Sequence, residues 1–402
     1  MKKVVMWSTT TLGLMLVWAT LSYLSTFQGW FLQSLAEPGD KTGMMAALKQ
    51  EVEQNYQGNL SLMLVENGEY GGSIHVSKGR AVDQGSIFGV SSLGKWVAAV
   101  GVMKLVERGK LELDAPVENY LTRWHLPPSE FDNSAVTVRR LLSHTAGITD
   151  GLGHNGFEPG EPVQPLVEHL TQAKDAESDV SGRVEVGLPP GEQWKYSGGS
   201  YNLLQLLVEE VSGQSFESFM AQQVFSPLNM KHTGYRVDRA SSEVAEYFGK
   251  GGELQVYPNY TSLAATGLYT SANDLLKFVQ AQIPESNLSH STKRLLTDGS
   301  LNVISEPHAE VNGLPIWGAG PMLFAENGTG GYIIGHGGRS PRLNATARLN
   351  PSTGNGIIVL QTGNEEALAS DLATHWTLWE TGRPDMYMLK QLIPTMLINI
   401  VI

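Results

Sequence analysis

The chain has 402 residues, room for one large two-part domain or two ordinary ones, since domains run to about 100–200 residues each. Apolar residues make up 41% of it, so a sizeable core can form and global disorder is excluded. The formal net charge of −12, from 28 basic and 40 acidic residues with no long basic run, argues against nucleic acid as the main partner. The lack of cysteine excludes disulfides, thiolate zinc sites and cysteine nucleophiles.

Lys2 and Lys3 precede an uncharged stretch from Val4 to Ala36. A membrane span needs roughly 20 predominantly apolar residues, and Val4 to Leu24 supplies them despite several Ser and Thr. The basic end is expected to stay in the cytoplasm, with Glu37 and Asp40 on the far side. Residues 1–36 therefore read as an export signal or an uncleaved anchor, with Ser34-Leu35-Ala36 as a small-x-small cleavage candidate.

Glu37 to Gln57 reads as a linker and a helix. Asn59–Val65 and Gly72–Val76 read as two strands around the turn Glu66-Asn67-Gly68. From Ser92 the pattern turns helical, with Val97, Ala98, Val100, Leu105 and Val106 on a broad apolar face that ends at Gly109. Thr137 can cap a short helix carrying Leu141 and Leu142. Asn202–Val211 and Phe216–Phe225 are two further helices, separated by Gly213 and with Ser215 as the second cap. Ser271, three residues before Asp274, resembles a capping box opening a helix with Leu275, Leu276 and Phe278. Tyr332–Ile334, Leu343–Leu349 and Ile357–Gln361 read as strands, and Ala367–Trp379 as a final amphipathic helix. Met386 to Ile402 is apolar, interrupted by Pro394 and short for a span; a membrane-surface tail, a disordered tail and the start of a longer segment all fit it. Strands at both ends with helices between them predict one sheet built from both ends of the chain, with a helical region inserted.

Three short elements can carry chemistry. Ser92-Leu93-Gly94-Lys95 is the one place where Lys follows Ser by three, a spacing that puts both side chains on one helix face. A Ser at a helix start sits where the dipole favours developing negative charge, and a desolvated lysine beside it can take the hydroxyl proton. The pair follows an apolar Ile87-Phe88 entry and opens a mostly apolar helix, so Lys95 would be costly to bury without a partner. By itself S-x-x-K is more often a solvated helix start. Tyr196-Ser197-Gly198 stands before a helix, where a tyrosine can relay a proton; a core tyrosine is the bland alternative. His336-Gly337-Gly338 ends a strand, and its glycines let another backbone or a substrate come close; by itself it is a turn with an incidental histidine.

In this order the three elements resemble the serine β-lactamase and penicillin-binding-protein superfamily: class C β-lactamases, D,D-peptidases and esterases on the same fold. Intervening text agrees. Gly109-Lys110-Leu111-Glu112-Leu113-Asp114, Leu141-Leu142-Ser143-His144-Thr145-Ala146-Gly147-Ile148, Pro227-Leu228-Asn229-Met230 and Ala265-Thr266-Gly267-Leu268 all resemble family blocks, from about Val52 to Trp379. The resemblance implies an α+β fold with an antiparallel sheet and an inserted helical region. With the apolar ends read above, the chain divides into an export signal or membrane anchor at 1–36, a hydrolase domain at 37–380 and an apolar tail at 381–402. It makes Ser92 the acylated nucleophile, with Lys95 and Tyr196 moving its proton and His336 in the H-x-G variant of the K-T-G position. The backbone N–H groups of Ser92 and Arg339 become the oxyanion hole. Gly198, Gly337, Gly338 and Arg342 fall at substrate-binding positions, and Arg339 and Arg342 could meet a substrate carboxylate.

Gly198 departs from the family, because many members carry Asn there; its loss speaks against efficient β-lactamase activity. The implied function is an exported serine hydrolase working on amide or ester bonds through an acyl-enzyme. The alternative is a membrane-tethered binding or sensor domain without catalysis on the same fold. An α/β-hydrolase fails because no G-x-S-x-G surrounds Ser92, and a Rossmann dehydrogenase fails for want of G-x-G-x-x-G after a first strand. No cofactor is expected, and no metal, since the ten histidines show no H-E-x-x-H spacing. The expected partners are a small-molecule or peptidoglycan-type substrate and, through residues 1–36, a membrane.

Overall fold

The computed structural model describes residues 2–54, 56–149, 154–178, 180–249, 251–287, 293–340 and 343–401, with side chains from Gly13 onward except those of Asn399 and Val401. A long helix α1 (Lys2–Gln28) and α2 (Lys41–Glu53) come first. Asp40 caps α2 by accepting the Gly43 N–H at 2.9 Å. Strands β1 (Gly58–Glu66) and β2 (Glu69–Val76) form the hairpin expected at Asn67-Gly68. Both turn residues have positive φ, 49° and 80°, as a tight two-residue turn between twisted strands requires.

The two-residue strand β3 (Phe88–Gly89) leads into a short turn and the helix α3 (Gly94–Glu107). The inserted region follows: α4 (Val138–Leu142), α5 (Leu166–Thr171), α6 (Gly198–Ser212) and α7 (Phe216–Met220). Thr137, Ser197 and Ser215 cap α4, α6 and α7 with their hydroxyl oxygens, and Gly213 ends α6 at a φ of 68°. Short strands β4 (Tyr247–Phe248), β5 (Leu254–Gln255) and β6 (Tyr269–Thr270) precede α8 (Ala272–Gln280), which Ser271 caps, and α9 (Asp298–Ser305).

The chain then returns to the sheet with β7 (Ala309–Val311), β8 (Leu314–Trp317), β9 (Met322–Glu326), β10 (Tyr332–Ser340), β11 (Leu343–Leu349) and β12 (Gly356–Gly363). Helices α10 (Leu368–Thr381) and α11 (Met386–Val401) finish it. The main sheet has the order β2-β1-β12-β11-β10-β9-β8-β7, and its neighbours are antiparallel. β1 joins β12 along its length, from Gly58 opposite Gly363 to Val65 opposite Gly356, so both ends of the chain build the sheet as expected.

Both faces of this sheet are covered. Leu60, Leu62, Leu64, Ile357 and Val359 pack against Met44, Leu48 and Val52 of α2 and Leu372 and Trp376 of α10. Met63, Val65, Ile358 and Leu360 pack on the other side with Val97 and Val100 of α3 and Leu275 and Phe278 of α8. Two buried faces explain why these strands read as nearly continuous apolar runs.

At the chain ends α1 and α11 lie against each other. Instead of a disordered tail, Met386 onward forms one helix that runs through Pro394, whose exposed position lets water satisfy the carbonyl it leaves unpaired. Asp385 anchors this helix twice. Its Oδ1 accepts the N–H groups of Tyr387 (3.0 Å) and Met388 (2.9 Å), and its Oδ2 takes the fully buried Arg348 guanidinium at 2.6 Å. Leu14 to Trp18 of α1 are each more than half exposed, as are Trp30 and Phe31. Among the described residues no helix is long and apolar enough to cross a membrane.

Candidate active site

The nucleophile turn is built where the helical region meets the sheet. Val90 N–H donates to Leu268 O at 3.0 Å, which fixes the chain leaving β3. Ser91 then takes a φ of 47°, a left-handed conformation that costs a residue with a Cβ roughly 1–2 kcal/mol. Its hydroxyl offsets part of that cost by donating to Arg339 O at 3.0 Å. Ser92 follows, half-buried in the single 3₁₀ turn Ser91–Leu93, and Lys95 lies one turn on in α3, 2% exposed. The Lys95 ammonium donates to Ser92 Oγ at 3.0 Å and to Ala265 O at 2.7 Å. The spacing of three therefore does what it promised, and Ala265, from another family-like block, supplies a backbone acceptor for the buried charge.

Tyr196 and His336 reach the same place. Lys95 Nζ sits 5.0 Å from the Tyr196 ring centre, and the Tyr196 and His336 rings are 6.5 Å apart. His336 Nδ1 donates to Gly337 O at 2.6 Å, and a carbonyl can only accept, so Nε2 is left as a lone-pair acceptor. Burial, then the nearby Lys95 charge, pushes the His336 pKa down to about 3, so the ring is neutral at ordinary pH.

His144 belongs to this cluster, although in the sequence it stands out only as part of its block. Its ring centre lies 4.3 Å from Tyr196, 5.3 Å from Tyr201 and 4.9 Å from Trp317. Its Nδ1 accepts the Ser197 N–H at 3.1 Å and its carbonyl accepts the Lys195 N–H at 2.8 Å, so it grips the segment that carries Tyr196 on both sides. Burial first, then the Lys95 charge, holds its pKa well below the usual imidazole value. The available signal was a histidine in a turn before Thr145-Ala146-Gly147, where it takes a φ of 58°. Trp194 and Trp317, 5.6 Å apart, extend the aromatic wall.

The third side is the edge of β10. β9 pairs with β10 only as far as Gly335, opposite Met322, so His336 to Ser340 have no strand partner on that side. In an extended strand the N–H and C=O of one residue point to the same edge. The Arg339 carbonyl meets Ser91, so the Arg339 N–H faces the nucleophile turn as well. Gly338 makes the approach possible, since a Cβ there would lie 1.8 Å from Val90 O. Gly337 has no such demand: a Cβ would point toward Tyr387 at 3.9 Å, away from the turn, so its part is played by its backbone. Gly198 is buried in the first turn of α6 behind the Ser197 cap. The Arg339 side chain is exposed and pairs with Glu366 at 2.8 Å, so a carboxylate contact from it in the cleft is not what the fold provides. Arg342 lies outside the described residues.

A cavity of about 210 Å³ adjoins the site, with Ser91, Ser340, Thr266, Tyr257 and Tyr260 in its walls. His154 lines it too, and converges with His169 and Asp175, three side chains close enough to hold a metal ion.

A hydroxyl against a buried ammonium, a phenol beside it and backbone N–H groups across a strand edge are the parts of a serine acyl-transfer centre. The fold that carries them is the β-lactamase/transpeptidase-like one. The family model described as Beta-lactamase matches residues 46–377, and the chain belongs to that family within the serine β-lactamase and penicillin-binding-protein superfamily. PbpX of Bacillus subtilis (strain 168) is 29% identical over 220 residues, 53% of this chain and 51% of its own length. Protein flp of Staphylococcus aureus (strain MRSA252) is 22% identical over 336 residues, 79% of this chain and 62% of its own length. The chain thus spans between half and two thirds of these curated relatives. Among solved structures, the octameric penicillin-binding protein homologue from Pyrococcus abyssi superposes with a TM-score of 0.68 at 24% identity, covering 86% of this chain and 78% of that one.

Proposed function

We propose that the protein is a serine hydrolase that cleaves amide or ester bonds through an acyl-Ser92 intermediate. The observation that carries the reading is the 3.0 Å contact of Lys95 Nζ with Ser92 Oγ, beside the open β10 edge. In the first step Lys95, as the neutral amine, takes the Ser92 proton while Oγ bonds to the substrate carbonyl carbon, and the proton passes by way of Tyr196 to the leaving nitrogen or oxygen as its bond to that carbon breaks. The carbonyl oxygen becomes an oxyanion facing the N–H groups of Ser92 and Arg339, each such donor contributing about 2.7–4 kcal/mol. In the second step water adds to the acyl carbon, the ester bond to Ser92 breaks, and the proton returns to Oγ.

Two features bear on substrate. His336 is neutral and fully buried, so no charge at that position draws in a substrate carboxylate. Gly198 offers no side-chain amide to a β-lactam. The first favours an ester or an amide without a free carboxylate beside the scissile bond, and the second favours a peptide or an ester over a dedicated β-lactamase. Two structural neighbours carry names in keeping with this: a β-lactamase/D-alanine carboxypeptidase from Pseudomonas syringae (TM-score 0.64, 18% identity) and a D-stereospecific amidohydrolase from Streptomyces sp. (TM-score 0.61, 20% identity). Exposure to an activated ester and to a fluorescent penicillin, followed by intact-protein mass measurement, should show one acyl adduct that Ser92→Ala abolishes. Full labelling of Ser92→Ala refutes the assignment, and lack of turnover on esters, D,D-peptides and β-lactams alike favours a binding domain. The same spectrum reads the mature N-terminus.

Placement outside the inner membrane, either anchored or after signal cleavage, is part of the proposal, supported by Lys2-Lys3 and the exposed apolar side chains of α1. Fractionation of producing cells tests it; recovery of the uncleaved chain in the cytosol counts against it.

A further inference from the structure

His154, His169, Asp175 and Asn202 come from four separate stretches and meet beside the cavity. One ligating atom from each of His154, His169 and Asp175 lies within 4.8 Å of the others. His169 Nε2 is 2.6 Å from Asp175 Oδ1, a hydrogen bond that leaves His169 Nδ1 as the lone-pair atom. Asp175 is itself held, its Oδ2 by the Gly156 N–H at 3.1 Å and its backbone carbonyl by the Asn155 N–H at 2.9 Å. This is the carboxylate–imidazole arrangement that orients a histidine toward a metal.

The Asn202 amide lies between the two rings, its Nδ2 3.3 Å from His169 Nδ1 and 3.4 Å from His154 Nε2. Both contacts are long for hydrogen bonds. They match the spacing of about 3.3–3.4 Å between ligands that sit about 2.0–2.1 Å from a tetrahedral zinc ion. Asn202 is 0% exposed, and its Oδ1 is buried without a hydrogen-bond partner. Amide oxygen and nitrogen exchange places by a half-turn. After that turn the oxygen occupies the position between the two imidazoles, and a buried acceptor without a partner becomes a ligand.

We infer that His154 Nε2, His169 Nδ1 and Asn202 Oδ1, with Asp175 behind His169, form a site for a divalent transition-metal ion such as zinc. Two imidazole ligands favour zinc, nickel or copper over magnesium or calcium, which take oxygen ligands. His154 also lines the cavity that reaches Ser91 and Ser340, and water or a donor oxygen of a bound molecule would complete the four-coordinate shell. The site shares no residue with the Ser92 centre.

The test uses the tag-free full chain, stripped with a chelator and titrated with Zn²⁺ by calorimetry and with Co²⁺ by visible absorption. One ion per chain should bind, with the intense cobalt bands of a four-coordinate site. His154 is only half-buried, so His154→Ala should fold, as a matching melting curve will confirm, and should weaken binding by at least ~100-fold. Asp175→Asn should weaken it by about 10–100-fold, the range for an outer hydrogen-bond partner. Ser92→Ala should bind as the parent does, which separates this result from the fate of the hydrolase assignment. No binding by the parent chain, or equal binding by a folded His154→Ala, overturns the inference.

Discussion

Replacing Gly338 by Ala tests how closely the sheet must approach the nucleophile turn. A Cβ at this position would stand 1.8 Å from Val90 O and 3.0 Å from Leu93 N, while contacts under 3.0 Å are essentially never seen for real Cβ atoms. The clash is with backbone, so no side chain can rotate out of the way; β10 and the Ser91–Leu93 turn must separate by roughly 1 Å. A displacement of that size at a reacting centre can cost about 10²-fold. The next residue is Arg339, whose N–H faces the Ser91–Leu93 turn, and where such an N–H serves as an oxyanion donor its loss costs about 10²–10³ in kcat. Gly338→Ala should therefore slow acylation of Ser92 by about 10²–10³-fold and lower stability by about 1–3 kcal/mol, as overpacking does. The assay is single-turnover acylation by an activated ester, with a denaturant melt of the same sample. Gly337→Ala is the matched control, because its Cβ would find nothing nearer than Ala345 O at 3.8 Å. Equal acylation rates for Gly338→Ala and the parent, or equal losses from both substitutions, would refute the close-approach argument.

Two further outcomes follow from buried charge. His336 titrates near 6.5 when unfolded and at about 3 when folded, so between these values only the unfolded chain takes up its proton and stability rises with pH. At pH 5 its share of the loss is about 2 kcal/mol; His336→Gln should flatten the denaturation free energy against pH by that amount, and an unchanged slope would contradict the neutral buried ring. Asp385→Ala strands the Arg348 guanidinium inside the protein and removes the cap of α11, so it should cost about 3–5 kcal/mol in denaturant unfolding. Arg348→Met combined with Asp385→Leu should recover most of that, and a change under about 1 kcal/mol for the single variant would place the pair in water.

Local spacing made part of this protein legible in its sequence. Ser92 and Lys95 share a helix face because three residues make nearly one turn, and the caps at Thr137, Ser215 and Ser271 are hydrogen bonds a hydroxyl makes within its own neighbourhood. The β1–β2 hairpin announced itself through Asn67-Gly68, which only a turn with positive φ would favour. β7, β8 and β9 did not: they are three to five residues long, Pro315 interrupts β8, and the pairing slips between Ala309 and Glu310. α11 was obscured by Pro394, which reads as an interruption until the partner helix and the Asp385 cap are known.

Tertiary structure decided the rest. That His144 grips the Tyr196 segment, that Ala265 O holds the Lys95 charge, and that His154, His169 and Asn202 surround one point are facts about residues tens to hundreds of positions apart. Sequence periodicity carries information over one or two turns of helix or a single strand. Which distant groups become neighbours depends on how the sheet and the inserted helices pack, and a side chain's protonation and partners are properties of that packing.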